Sequence, residues 1–181
     1  MDYFIENGCM HILPYFNRKF TSRMIEKLNT VSKIEFLAHH PYFNIESSDD
    51  DEDIQSISIF NQPLENIPSN IKEIYLGDCF NKSVNNLPIG LEKIVFGYNF
   101  NRCVDFLPIT LKYVEFGAKF NKSIDNLPNL VEEIYLDKDF DKVITKFPSN
   151  LRKIGFHISY KDIILPETNA IIKYYPYKKI F

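Results

Sequence analysis

A chain of 181 residues that is 45% apolar suggests one domain able to bury a sizeable core. Its formal net charge of −3 is set by one run, Asp49, Asp50, Asp51, Glu52 and Asp53; the rest of the chain carries +2, a near-neutral body without the clustered Lys and Arg of a nucleic-acid footprint. Cys9, Cys79 and Cys103 are odd in number and lack CxxC spacing, which argues against a disulfide framework or a zinc motif, and neither a signal-peptide run nor the roughly 18 apolar residues of a membrane span is present.

From the N-terminus, residues 1–30 carry no repeat and read as a cap. Met24, Ile25 and Leu28 fall at helical spacing, with Thr21 or Ser22 as N-cap. Residues 31–170 read as repeats. Val31-x-x-Ile34-x-Phe36 opens the first, and Tyr42-Phe43-Asn44 offers a displaced Phe-Asn for it. An acidic insertion at 46–53 follows, in which Ser47 and Ser48 precede the Asp/Glu run in the context an acidophilic kinase prefers. Ile54-x-x-Ile57-x-Ile59 then leads into Phe60-Asn61, as a shortened unit with its strand near Ile54 or Ile57.

From here the period is 20. Phe60, Phe80, Phe100, Phe120 and Phe140 form one column, and Pro68, Pro88, Pro108, Pro128 and Pro148 another. Each unit opens L-x-x-I-x-F, as at Leu91, Ile94 and Phe96. Alternation of Ile94 and Phe96 against Val95 is the period of a strand, and stacking the units gives a leucine-rich-repeat-like curved parallel sheet. The Phe column is expected to be a buried aromatic spine closed by Val84, Val104, Ile124 and Ile144. Asn61, Asn81, Asn101 and Asn121 follow the Phe column and are expected to stack as a ladder that satisfies turn backbone groups. Gly77, Gly97 and Gly117 permit the turn off the strand, yet Asp137 and His157 occupy the same column. Twenty residues leave room on the convex side only for turns or short 3₁₀ segments, and a Pro in every unit fits that.

Two columns at the strand flank alternate in sign: Lys72, Glu92, Lys112, Glu132, Arg152, and beside them Glu73, Lys93, Tyr113, Glu133, Lys153. Strands about 4.8 Å apart set each charge between opposite ones, which favours one stacking register. Ile171-x-x-Tyr174-x-Pro176 reads as a last strand, so that 171–181 form a C-terminal cap. His11, His39, His40 and His157 are scattered, without partners at metal-ligand spacing, and neither a phosphate loop nor a hydrolase motif is present.

The units resemble the FNIP repeats, a leucine-rich-repeat-like family whose motif runs Phe-Asn-x-Pro-Leu to Ile-Pro. Phe60-Asn61-Gln62-Pro63-Leu64 through Ile67-Pro68 matches it almost residue for residue. Phe80-Asn81, Phe100-Asn101 and Phe120-Asn121 match more loosely, and Asp141 departs from the Asn. The resemblance covers roughly 54–156. It implies a protein of the kind found in social amoebae and giant amoeba viruses, and it lends no catalytic residues.

The expected function is a non-enzymatic, monomeric protein-binding scaffold in the cytoplasm (the host's, if viral), with no cofactor or metal, no nucleic acid and no membrane. Its binding surface would be the concave sheet face, where Tyr75, Val95, Glu115 and Tyr135 are expected to be exposed, with Tyr113 beside them and Tyr98 past the strand end. In the FNIP family the repeats often follow an F-box, and Met10-His11-Ile12-Leu13-Pro14 is a faint echo of one. That makes a ubiquitin-ligase substrate receptor with a reduced docking segment the alternative.

Overall fold

The structure, a computed structural model, describes residues 2–37, 58–160 and 164–176. Nine strands form one sheet in chain order: β1 (Tyr3–Glu6), β2 (Cys9–Ile12), β3 (Lys33–Phe36), β4 (Glu73–Tyr75), β5 (Lys93–Val95), β6 (Tyr113–Glu115), β7 (Glu133–Leu136), β8 (Lys153–His157) and β9 (Ile171–Tyr175). β2 through β9 pair parallel, each with the next, and β1 pairs antiparallel with β2. One helix, α1 (Ser22–Leu28), and one 3₁₀ turn, Ile158–Tyr160, complete the regular structure of the described residues. The fold is the expected leucine-rich-repeat-like solenoid.

Register explains the core. Met10, Ile34, Ile74, Ile94, Val114, Ile134 and Ile154 lie side by side across the sheet, and every one of them is 0% exposed. Behind this row runs the aromatic spine. Phe60, Phe80, Phe100, Phe120 and Phe140 stack with centroids 6.1–6.2 Å apart and planes within 13° of parallel. Phe96 and Phe116 pack on Phe100 and Phe120 at 3.8 Å. Each coil alone would leave its ring in water; stacking covers it on both sides.

The rest of each coil is turns. The amides of Ile71, Leu91, Leu111, Val131 and Leu151 donate to the carbonyls of Pro68, Pro88, Pro108, Pro128 and Pro148 at 3.0–3.1 Å. The proline is the first residue of each turn, contributing the accepting carbonyl while having no N–H of its own to satisfy. The glycine column works differently from the expectation of a turn-permitting backbone. Gly77, Gly97 and Gly117 have ordinary φ, and Asp137 makes the same turn, its carbonyl accepting from Phe140. A Cβ at Gly97 would collide with the Gly77 carbonyl, and one at Gly117 with the Gly97 carbonyl. These glycines let neighbouring coils approach.

The coil stack begins earlier than the motif does. From Met10 in the core row to Phe16 is six residues, as from Ile94 to Phe100. Phe16 duly stacks on Phe60, centroids 5.9 Å apart and planes 8° apart. The segment expected as a cap thus holds a full coil, with α1 replacing the Leu-Pro turns and burying Met24 and Leu28. Thr21 is its N-cap, Oγ1 accepting from the Met24 amide at 3.3 Å. β1 closes the stack through a two-residue hairpin, Asn7 at φ 50° and Gly8 at φ 74°, the Asn-Gly pair that a type I′ turn favours.

β3 pairs directly with β4, so Ile34 and Ile74 are sheet neighbours although separated by two periods of sequence. Ile54 and Ile57, either of which the sequence offered as the strand centre of the shortened unit, lie outside the described residues; Phe60 packs on Phe36 of β3, ring centroids 4.3 Å apart. The chain between them carries one additional period, which includes the acidic run 46–53; that run, Ser47, Ser48, His39, His40 and Tyr42-Phe43-Asn44 lie outside the described residues.

At the far end Tyr160 takes the spine position, 5.4 Å from Phe140, and its hydroxyl donates to the Lys142 carbonyl at 2.6 Å. β9 pairs along all of β8. Its own residues stay open, Ile171 at 60% and Tyr174 at 38% exposure.

Candidate functional site: the outer face of the sheet

The alternate strand residues point away from the core and form two rows. Cys9, Lys33, Glu73, Lys93, Tyr113, Glu133 and Lys153 make the first; His11, Glu35, Tyr75, Val95, Glu115, Tyr135 and Gly155 the second. Of the six predicted contact residues, four therefore share one row and Tyr113 sits beside it. Tyr98 stands apart, 42% exposed beyond β5, with the Lys119 ammonium 5.7 Å from its ring centroid.

The face is a lattice rather than a set of free side chains. The Tyr75 hydroxyl donates to Glu73, Tyr113 to Glu115 and Tyr135 to Glu133, each at 2.9 Å. Lys93 lies between two rings, 5.1 Å from Tyr75 and 4.5 Å from Tyr113. Lys33 sits over the other side of Tyr75 at 4.2 Å, and Lys153 over Tyr135 at 5.1 Å. Such cation–π contacts fix the rings without dehydrating the ammonium groups fully. Tyr113 and Tyr135 pack at 5.4 Å.

The sequence reading expected these residues exposed, and the structure corrects it. Tyr75, Val95, Tyr113 and Tyr135 are half-buried, and Glu115 is 6% exposed under the Tyr113 hydroxyl. Burial raises the Tyr75 and Tyr113 hydroxyls above the usual phenol range, helped by Glu73 in one case and Glu115 in the other. Burial raises Tyr135 as well. Gly155 matters here and was not foreseen. A Cβ at that position would lie 2.7 Å from the Tyr135 ring and 2.8 Å from the Tyr175 ring, so its absence lets those rings approach to 6.4 Å.

On the flank of the strands the charge columns pair as arranged in the sequence. Glu92 lies 3.6 Å from Lys72 and 2.8 Å from Lys112, and Arg152 lies 3.1 Å from Glu132. Along the spine the asparagines form hydrogen bonds from coil to coil. The amides of Asn81, Asn101 and Asn121 donate to Oδ1 of Asn61, Asn81 and Asn101 at 3.0 Å. The run extends to Asn17, whose Oδ1 accepts from the Asn61 amide at 2.9 Å, and it ends where the Asp141 amide donates to Oδ1 of Asn121 at 3.3 Å.

At the β2–β3 end of the face, Cys9, His11 and Glu35 bring one sulfur, one ring nitrogen and one carboxylate oxygen within 4.8 Å of one another. Sequence spacing hid this group, because Glu35 comes from the neighbouring coil. Among the described residues no helix is long and apolar enough to cross a membrane.

The comparisons agree with this geometry. The family model described as FNIP Repeat matches residues 60–85 and 83–119. No curated protein matches the chain. Among solved structures it is similar to CroV588, a giant-virus protein described as a novel circular LRR protein structure, with a TM-score of 0.51 and 21% identity. That match covers 96% of this chain but only 31% of CroV588, so it bears on the fold, and the chain spans under a third of that protein's length. Strand register, spine and asparagine ladder run through 60–119 and past both ends of it, and residues 60–119 carry FNIP repeats within a leucine-rich-repeat-like fold.

Proposed function

We propose that this protein is a binding scaffold, acting by surface recognition of a protein partner and without catalysis, and that the outer sheet face is where the partner docks. A single observation carries the reading: Tyr75, Tyr113 and Tyr135 are held in place by carboxylates and lysines before any partner arrives. Fixed rings lose little rotamer freedom on binding, and tyrosine anchors set in a charged surround are what interface hot spots are made of. Solenoids commonly recruit partners on this extended surface. Met10, Ile12 and Leu13 are buried in the first coil, which supports the scaffold over a receptor that docks an adaptor through them.

The test compares Tyr75→Ala/Tyr135→Ala with wild type as immobilised bait in native extract, both verified as folded by circular dichroism, with quantitative mass spectrometry as readout. Partners enriched by wild type should drop at least about tenfold on the double variant. Recovery of the same proteins in the same amounts would remove the sheet face from the mechanism.

A further inference from the structure

The geometry points to a zinc(II) site on the outer sheet face, formed by Cys9 Sγ and His11 Nδ1 of β2 and Glu35 Oε2 of β3, with a fourth position open to water. Nδ1 of His11 lies 3.4 Å from Oε2 of Glu35 and 4.0 Å from Sγ of Cys9. An ion with ordinary tetrahedral zinc bond lengths holds its nitrogen and oxygen ligands about 3.4 Å apart and its sulfur and nitrogen about 3.6 Å apart. The nitrogen–oxygen pair already stands at that separation, and the sulfur, with all three donor atoms within 4.8 Å of one another, reaches it by a side-chain rotation of up to about an ångström.

Three further features fit the ion. Cys9 and His11 alternate on one strand, so both point outward, and Glu35 faces His11 across the ladder. The imidazole is oriented by Phe4 of β1, stacked on it at 4.7 Å with planes 14° apart. Its Nδ1 is the ring atom turned toward both other ligands. The Cys9 side chain is sheltered from solvent, and burial holds its thiol protonated, a cost that the metal has to overcome. Binding therefore forms a Zn–S bond and releases that proton to solvent.

Lys33 is the competitor. Its Nζ lies 3.3 Å from the same Oε2 of Glu35, and it also lies over the Tyr75 ring. The ring keeps the ammonium when the carboxylate turns to zinc. Coordination would clamp the first coil to the second.

The experiment uses the full chain with Co(II) as a spectroscopic probe and Zn(II) in competition. Wild type should bind one equivalent of cobalt, with a thiolate-to-metal charge-transfer band that zinc abolishes, and zinc should raise the melting temperature. The band should persist in Cys79→Ser/Cys103→Ser and vanish in Cys9→Ser. Because Cys9 is buried and its replacement can unfold the coil, His11→Ala and Glu35→Gln provide a second reading. Each should weaken cobalt at least about tenfold, whereas Lys33→Met should tighten it. Absence of binding, a band lost only when Cys79 and Cys103 are replaced, or cobalt affinity unmoved by His11→Ala and Glu35→Gln would each overturn the site.

Discussion

The coils from Phe60 to Tyr160 and the first coil, from β2 through α1, do the same structural job with different residues. The later coils repeat Phe-Asn and Leu-Pro every 20 positions. The first keeps only Phe16 and Asn17 from that set. It still places Met10 in the core row, Phe16 in the spine and Asn17 on the ladder. What the two share is the interval between strand centre and spine ring. The helix that replaces the proline turns meets the next coil through the Leu28 and Val31 carbonyls, which accept from the Asn70 side-chain amide at 2.9 and 2.7 Å. Interval is therefore the constraint and residue identity a means of meeting it.

The sharpest way to break the comparison is to delete a ring. Phe100→Ala removes a side chain packed by Phe80, Phe96 and Phe120 and should cost about 3–5 kcal/mol in chemical denaturation. Phe16→Ala, with Phe20 and Phe60 as ring neighbours, should fall at the lower end of that range. Equal loss at both positions would mean that the first coil is as tightly integrated as the rest.

Gly155→Val comes next. It drives a branched side chain into Tyr135 and Tyr175, and overpacking of this kind costs about 1–3 kcal/mol. The loss should be smaller in a Gly155→Val/Tyr175→Ala background, since the edge ring can be given up.

The ladder offers a finer comparison. Asn101→Ala leaves the Asn121 amide without its acceptor, and Asn17→Ala does the same to Asn61. Both should cost about 1 kcal/mol, while Asn101→Asp should cost less, because a carboxylate accepts the same bond. An inert Asn17→Ala would show that the first rung is occupied without being needed.

The smallest effect is in pH. Burial raises the Tyr75 and Tyr113 hydroxyls above the ordinary phenol value of about 10 in the folded chain, so the unfolded chain ionises first. Their contribution to stability is complete below about pH 10 and is lost as pH rises from there toward the folded values. Denaturation midpoints should fall above pH 10, and Tyr113→Phe should flatten the slope.

Comparing the sequence with the structure separates what repeats from what does not. The spine, the proline turns and the paired charge columns were legible because a 20-residue period multiplies each signal. The β1–β2 hairpin was missed although Asn7-Gly8 announces it, because a single turn between two four-residue strands is never echoed. The pairing of β3 with β4 across two periods of sequence was not legible, because no local pattern reveals an additional period. Glu115 was expected in water because a carboxylate on a sheet surface normally is; in the fold it accepts from the Tyr113 hydroxyl and lies next to Tyr135 on the adjoining strand. The Cys9–His11–Glu35 group was invisible because proximity across a ladder leaves no trace in linear spacing.

The asparagine ladder has a direction. Every Oδ1 reaches from one coil to the backbone of the next, so each rung is a hook on one side and an eye on the other. A block of 20 residues can be cut out or duplicated between Phe60 and Phe140 and every hook still finds its eye, whereas a block of 19 or 21 leaves one unmet. Length in such a molecule is a whole-number quantity, and gene duplication or loss can change its reach in steps without redesigning a single contact.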